Sequence, residues 1–170
     1  MLHNPCVLRA LDPVEAFRET AESYCQVIDH VQENGAEDLI DRMLSLLPRL
    51  LHGAAELPAV EPLTDVEAPD TGHDAGSERF AAINDVLGAG TYAYWTTMAV
   101  QASPEPPGVV YWWVADDLAD IWRDLRGGLQ LLAVGASMAD VVWEWRFTFE
   151  SHWGAHAIEA LRALHAARHA

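Results

Sequence analysis

The chain has 170 residues, half of them hydrophobic, with 26 acidic against 10 basic side chains and a formal charge of −16. That length and apolar content suit one domain with a core of its own, and they exclude general disorder. The charge repels phosphate backbones and anionic lipid, so it argues against nucleic-acid and membrane-surface roles; what it attracts is a cation or a basic protein partner.

No apolar run approaches the ~20 residues that span a bilayer. Residues 1–11 lack the basic start and apolar core of a signal peptide. Cys6 and Cys25 have no metal-type spacing, and two free thiols point to a reducing, cytoplasmic setting.

Asp12-Pro13-Val14-Glu15 starts the first helix: an acid that can cap, proline at the first helical position, and an acid three residues past the cap. Val14, Phe17, Ala21, Tyr24, Ile28 and Val31 recur at three- and four-residue steps, which predicts a helix over 13–33 ended by Asn34-Gly35. A second helix is expected over 36–57, with Pro48 kinking or breaking it. The short joint makes the two antiparallel neighbours.

Residues 58–76 turn polar and proline-rich and read as an extended surface connection. A short helix over 77–87 carries Phe80, Ile83 and Leu87. A second proline-rich connection follows at 101–108. The last third is expected to hold two long helices, 109–134 and 138–168, joined at Gly135. Ser137-Met138-Ala139-Asp140 resembles a capping box at the start of the last one. The fold class is therefore all-α: two antiparallel helical hairpins forming a four-helix-bundle-like domain, with a short middle helix and two long connections covering one side.

The chemistry concentrates on the last two helices. Asp117, Asp120 and Asp124 form a stripe bordering the leucine face of 109–134, with Asp116 and Arg123 further round. On the final helix His152 and His156 stand four apart on the flank of the apolar arc of Val142, Trp145, Phe149, Trp153, Ala160 and Leu164, while Arg146 and Glu150 fall inside that arc. A hairpin turning near Gly135 sets Asp116, Asp117 and Asp120 level with His152 and His156, and sets Arg123 and Arg126 level with 146–150.

Two readings follow. A structural network would pair the acids with arginines and histidines and hold the helices in register. A functional site would use Asp117, Asp120, His152 and His156 as ligands for a divalent metal, or an Asp–His pair as a proton acceptor. No cofactor is called for, and a divalent metal is the one such group the cluster can hold. His165 and His169 repeat the four-residue spacing at the chain end where no partner acids are expected. Glu150-Ser151-His152 is one residue short of the di-iron Glu-x-x-His pattern. Gly127-Gly128 neither follows a strand nor opens a phosphate-binding turn, so its expected use is close helix contact.

Residues 116–129 (Asp-Asp-Leu-Ala-Asp-Ile-Trp-Arg-Asp-Leu-Arg-Gly-Gly-Leu), 143–157 (Trp-Glu-Trp-Arg-Phe-Thr-Phe-Glu-Ser-His-Trp-Gly-Ala-His-Ala) and 44–50 (Leu-Ser-Leu-Leu-Pro-Arg-Leu) resemble a bacterial family catalogued only as a domain of unknown function. The similarity covers nearly the whole chain. It implies an all-helical cytoplasmic protein with no assigned activity. Function is thus read first as a non-enzymatic interaction or adaptor protein with a basic or apolar protein partner, and alternatively as a metal-dependent, hydrolase-like enzyme. An adaptor needs an exposed apolar patch near Tyr94, Trp112 or Trp113; an enzyme needs a cleft at the acid–histidine level.

Overall fold

The computed structural model describes residues 12–69, 73–97 and 108–169. Cys6, the N-terminal lead and the proline-rich stretch at 101–107 lie outside these residues. Helix α1 (Pro13–Asp29) begins as its sequence dictates: Asp12 accepts from the Val14 amide at 2.9 Å, and Pro13 occupies the first turn, where no amide partner is needed. A single 3-10 turn (Val31–Glu33) leads to α2 (Ala36–Glu56), which runs unbroken through Pro48. The expected break there does not occur; burial of Met43, Leu46, Leu47 and Leu50 along one face holds the helix across the lost hydrogen bond.

Helix α3 (His73–Leu87) starts four residues earlier than the sequence suggests. The larger correction concerns 109–134. Its first five residues are strand β2 (Val109–Trp113), paired antiparallel with β1 (Ala93–Thr97), and helix α4 (Val114–Ala133) begins only after them. Val-Val-Tyr-Trp-Trp is β-branched and aromatic throughout, so its side chains prefer a pleated surface, and the partner strand supplies one. The fold is all-α with this one small ribbon.

The expected final helix is also divided, into α5 (Met138–Thr148), a π-helical turn (Phe149–Trp153) and α6 (Gly154–Arg168). At about 100° per residue, Trp145 and Trp153 would lie some 80° apart on an ideal α-helix. The extra residue absorbed by the π turn brings them to within about 20°. Both indoles are fully buried, and both meet Phe17 of α1, with ring centres 5.1 and 6.3 Å away. Gly154 permits the turn: a Cβ there would stand 2.5 Å from the Phe149 carbonyl oxygen.

Helices α1 and α2 pack on each other, α2 packs on α6, α6 on α4, and α4 closes the ring on α1. Between them lies the core of Phe17, Tyr24, Ile28, Met43, Leu47, Leu50, Leu118, Ile121, Leu125, Trp145 and Trp153. Gly128 on α4 lets Trp145 come close enough to donate its indole N–H to the Leu125 carbonyl at 3.2 Å. Asp140, buried at the start of α5, ties down the connection after α2 by accepting from the Leu63 and Thr64 amides at 2.6 and 3.0 Å and from the Thr64 hydroxyl at 3.1 Å.

Candidate metal centre

Helix α4 supplies an acid every three or four residues on one edge: Asp116, Asp117, Asp120 and Asp124. Across the seam, the π turn and the first turn of α6 supply His152 and His156. The ribbon covers the same spot, because strand alternation sends Tyr94, Thr96 and Trp112 to one face and Trp95, Tyr111 and Trp113 to the other. The inward set lines a cleft of about 430 Å³ together with Asp116, Asp117, Asp120, His152, His156 and Glu159.

Each histidine is held from behind by its own carboxylate. His156 Nδ1 lies 2.8 Å from Asp117 Oδ1, and His152 Nδ1 lies 2.7 Å from Asp124 Oδ2. An ionised carboxylate only accepts, so each Nδ1 is the protonated nitrogen and each neutral ring keeps its lone pair on Nε2. Both Nε2 atoms face the same oxygen, Asp120 Oδ2, at 3.7 Å from His156 and 4.0 Å from His152. The other Asp120 oxygen takes Arg123 at 2.7 Å. One ligand atom each from Asp120, His152 and His156 thus fall within 4.8 Å of one another.

The supporting contacts are strong. Asp117 is 1% exposed and has both oxygens engaged, the second by the Tyr94 hydroxyl at 2.6 Å. Burial pushes its carboxyl above the usual range, against the lowering effect of the His156 and Tyr94 donors. Asp116, half-buried on the cleft wall, is also raised, by burial first and by the charge of Asp120 second. The hydrogen bond to Asp124 raises His152, against the opposing effect of burial. Burial and the bond to Asp117 push the Tyr94 phenol up.

A family model described as a domain of unknown function, DUF5063, matches residues 10–170. The chain belongs to DUF5063. Its fold is similar to that of protein BF1032 from Bacteroides fragilis, whose crystal structure superposes with a TM-score of 0.77 at 22% identity, over 91% of this chain and 90% of that one. At that identity the likeness is one of fold. No curated protein matches the sequence.

Within this DUF5063 chain the residues singled out from sequence divide into two groups. Asp116, Asp117, Asp120, Arg123, Asp124, His152 and His156 meet in one cluster. Arg146 and Glu150 do not join it, and the expectation that they sit in the apolar arc is corrected. Glu150 has 61% of its side chain exposed and forms a surface pair with Arg146, which also donates to the Leu57 carbonyl at 2.6 Å. The π turn changes the helix phase from Phe149 onward, which moves Glu150 off the place an ideal 100° wheel gives it. Arg126 likewise turns away from 146–150 and binds Asp29 on α1.

Asp117, grouped from sequence with the metal ligands, has no oxygen to spare and stands behind His156 instead. Tyr94 was outside the sequence-derived cluster altogether. The signal that could have found it was the Val-Val-Tyr-Trp-Trp run, which needs a strand partner among the aromatic residues at 92–95. His165 and His169 meet in a tilted ring contact, centres 4.7 Å apart, at the exposed C-terminal end of α6, and have no acid bonded to them among the described residues.

Proposed function

We propose that this chain is a metalloprotein whose centre is a divalent transition-metal ion held by His152 Nε2, His156 Nε2 and Asp120 Oδ2, with hydrolytic chemistry at its open side. One observation carries the reading. Two imidazoles, each oriented by a carboxylate on Nδ1, turn their free nitrogens toward one carboxylate oxygen inside a cleft. Carboxylate–histidine–metal triads fix ligand rings in this way.

Two imidazoles and one carboxylate are the ligand set of catalytic zinc sites and of the ferrous facial triad, both of which leave positions for water or substrate. Tetrahedral zinc with bonds of about 2.0–2.1 Å sets its donors about 3.4 Å apart. The separations of 3.7 and 4.0 Å from Asp120 stand slightly above that value, and the three donors all lie within 4.8 Å of one another. A zinc-bound water would ionise near pH 7, at about the value hydrolysis needs. Burial raises the Cys25 thiol to about 12, which leaves it inert and outside the proposed ligand set.

The test is a calorimetric titration of tag-free, metal-stripped protein with Zn²⁺ and Co²⁺. One ion per chain is expected, with binding lost in Asp120→Ala and His156→Ala and weakened about 10- to 100-fold in Asp117→Asn. Absence of stoichiometric binding by folded protein would overturn the reading.

A second reading, a non-enzymatic interaction protein, is supported by the outer face of the ribbon. Trp95, Tyr111 and Trp113 are 65, 46 and 43% exposed there and touch in a row, Tyr111 tilted against Trp95 and edge-on to Trp113. Contiguous exposed aromatics of this kind mark contact surfaces.

A further inference from the structure

We propose that the cleft beside the centre binds an ammonium-bearing ligand with an aromatic or branched apolar body, the ammonium on Asp116 and the apolar body against Trp112 and Tyr94. This deepens the metal reading and rests on it only for the end of the ligand that faces the ion.

The argument begins with charge. Among the described residues four carboxylates line the cleft, Asp116, Asp117, Asp120 and Glu159, and no lysine or arginine does, Arg162 standing at its rim. Arg123 offsets Asp120 and Arg162 offsets Glu159, so the negative charge left on the wall of the metal-free cleft is that of Asp116 and of Asp117 behind His156. A phosphate ester therefore enters the metal-free cleft against the field of Asp116 and a cation enters with it.

Among the four acids only Asp116 is uncommitted. Asp117 is held by His156 and Tyr94, Asp120 by Arg123, and Glu159 by Arg162 at 2.8 Å. Asp116 makes no hydrogen bond or ion pair among the described residues, yet it is half-buried, where an unpaired carboxylate is costly. An ammonium supplies the missing partner.

The apolar walls set the rest of the ligand. Trp112, Tyr94 and Ala155 offer two aromatic rings and a methyl group in a space of about 430 Å³, within the range of small-molecule sites. The rim already carries a cation on an aromatic: the Arg162 guanidinium lies 5.3 Å from the centre of the Tyr94 ring. Aromatic and carboxylate together are the surroundings that recognise organic ammonium groups.

The experiment titrates wild-type protein, metal-free and Zn²⁺-loaded, with 2-phenylethylamine and with phenyl phosphate, two probes that share a ring and differ in charge. The amine is expected to bind both forms at least about tenfold more tightly than the phosphate. Asp116→Asn is expected to weaken amine binding about tenfold, and raising the salt concentration is expected to weaken it in wild type. Amine binding that persists and responds to Asp116→Asn in a protein that takes up no metal supports this inference while the metal reading fails. Tighter phosphate binding to the zinc form overturns it while the metal reading stands. Amine binding that is absent, or indifferent to both Asp116→Asn and salt, also overturns it.

Discussion

Asp117 and Asp140 are the two acids buried almost completely among the described residues, and their carboxyls move in opposite directions. Asp140 is ringed by donors that want it charged: the Ser137 hydroxyl first, then the Thr64 and Leu63 amides and the Thr64 hydroxyl, and these hold it below its usual range. Asp117 has only His156 and Tyr94 to set against deeper desolvation, and burial wins. The first acid fixes a chain crossing; the second fixes a ring nitrogen.

His152 gives this contrast a measurable form. Its folded value is raised above the 6.5 of an ordinary histidine by the bond to Asp124. A raised value means the folded state binds the proton more tightly, so the pair stabilises fully below about pH 6.5 and loses that contribution as pH rises through the higher folded value. In metal-free protein, the melting-temperature advantage of wild type over Asp124→Asn should be largest between about pH 5 and 6.5 and shrink above that. An advantage that grows with pH would contradict the pairing.

At the scale of elements, the seam between α4 and α5 depends on the absence of a side chain. A Cβ on Gly128 would fall well inside contact distance of the Trp145 indole nitrogen, and that ring is boxed in by Phe17 and fully buried. Gly128→Ala should therefore cost about 1–3 kcal/mol by overpacking, although alanine is the better helix former. Chemical denaturation with the slope unchanged measures it. Equal or greater stability would show that the helices can slide apart.

This contact was readable in advance, because paired glycines with no phosphate-binding context leave close approach as their use. The helix starts at Asp12 and Ser137 were readable for the same reason: each has a side chain whose chemistry has one local outcome. The ribbon and the π turn were not. Val109 to Trp113 satisfies a helical periodicity until a partner strand is known, and that strand lies a dozen residues upstream. The π turn answers to Phe17 on α1, so nothing in the local pattern of 149–153 announces it. Asp117, Asp120, Asp124, His152 and His156 were placed on facing helices by counting from the turn at Gly135. Their division into ligands and supporting carboxylates needed the side-chain positions.

For the whole molecule, the ring of α1, α2, α4 and α6 makes the centre part of the frame. Asp120 and Asp124 stand on the helix that packs on α1, α3, α5 and α6, and His156 stands on the one that packs on α2. An ion that cross-links α4 to α6 is thus linked to global unfolding, and binding to the native state alone stabilises by RT ln(1 + [L]/Kd), about 2.7 kcal/mol at a hundredfold excess over Kd. For a chain of this size that amounts to a rise of roughly 5–10 °C in melting temperature. Tag-free protein should show it on addition of Zn²⁺, and Asp120→Ala and His156→Ala should not. The His165→Ala, His169→Ala double variant should keep the full rise, since that pair has the same four-residue spacing but no carboxylate bonded to either ring among the described residues. A shift that survives in His156→Ala and disappears with the terminal pair would move the metal to the exposed end of α6 and leave the seam purely structural.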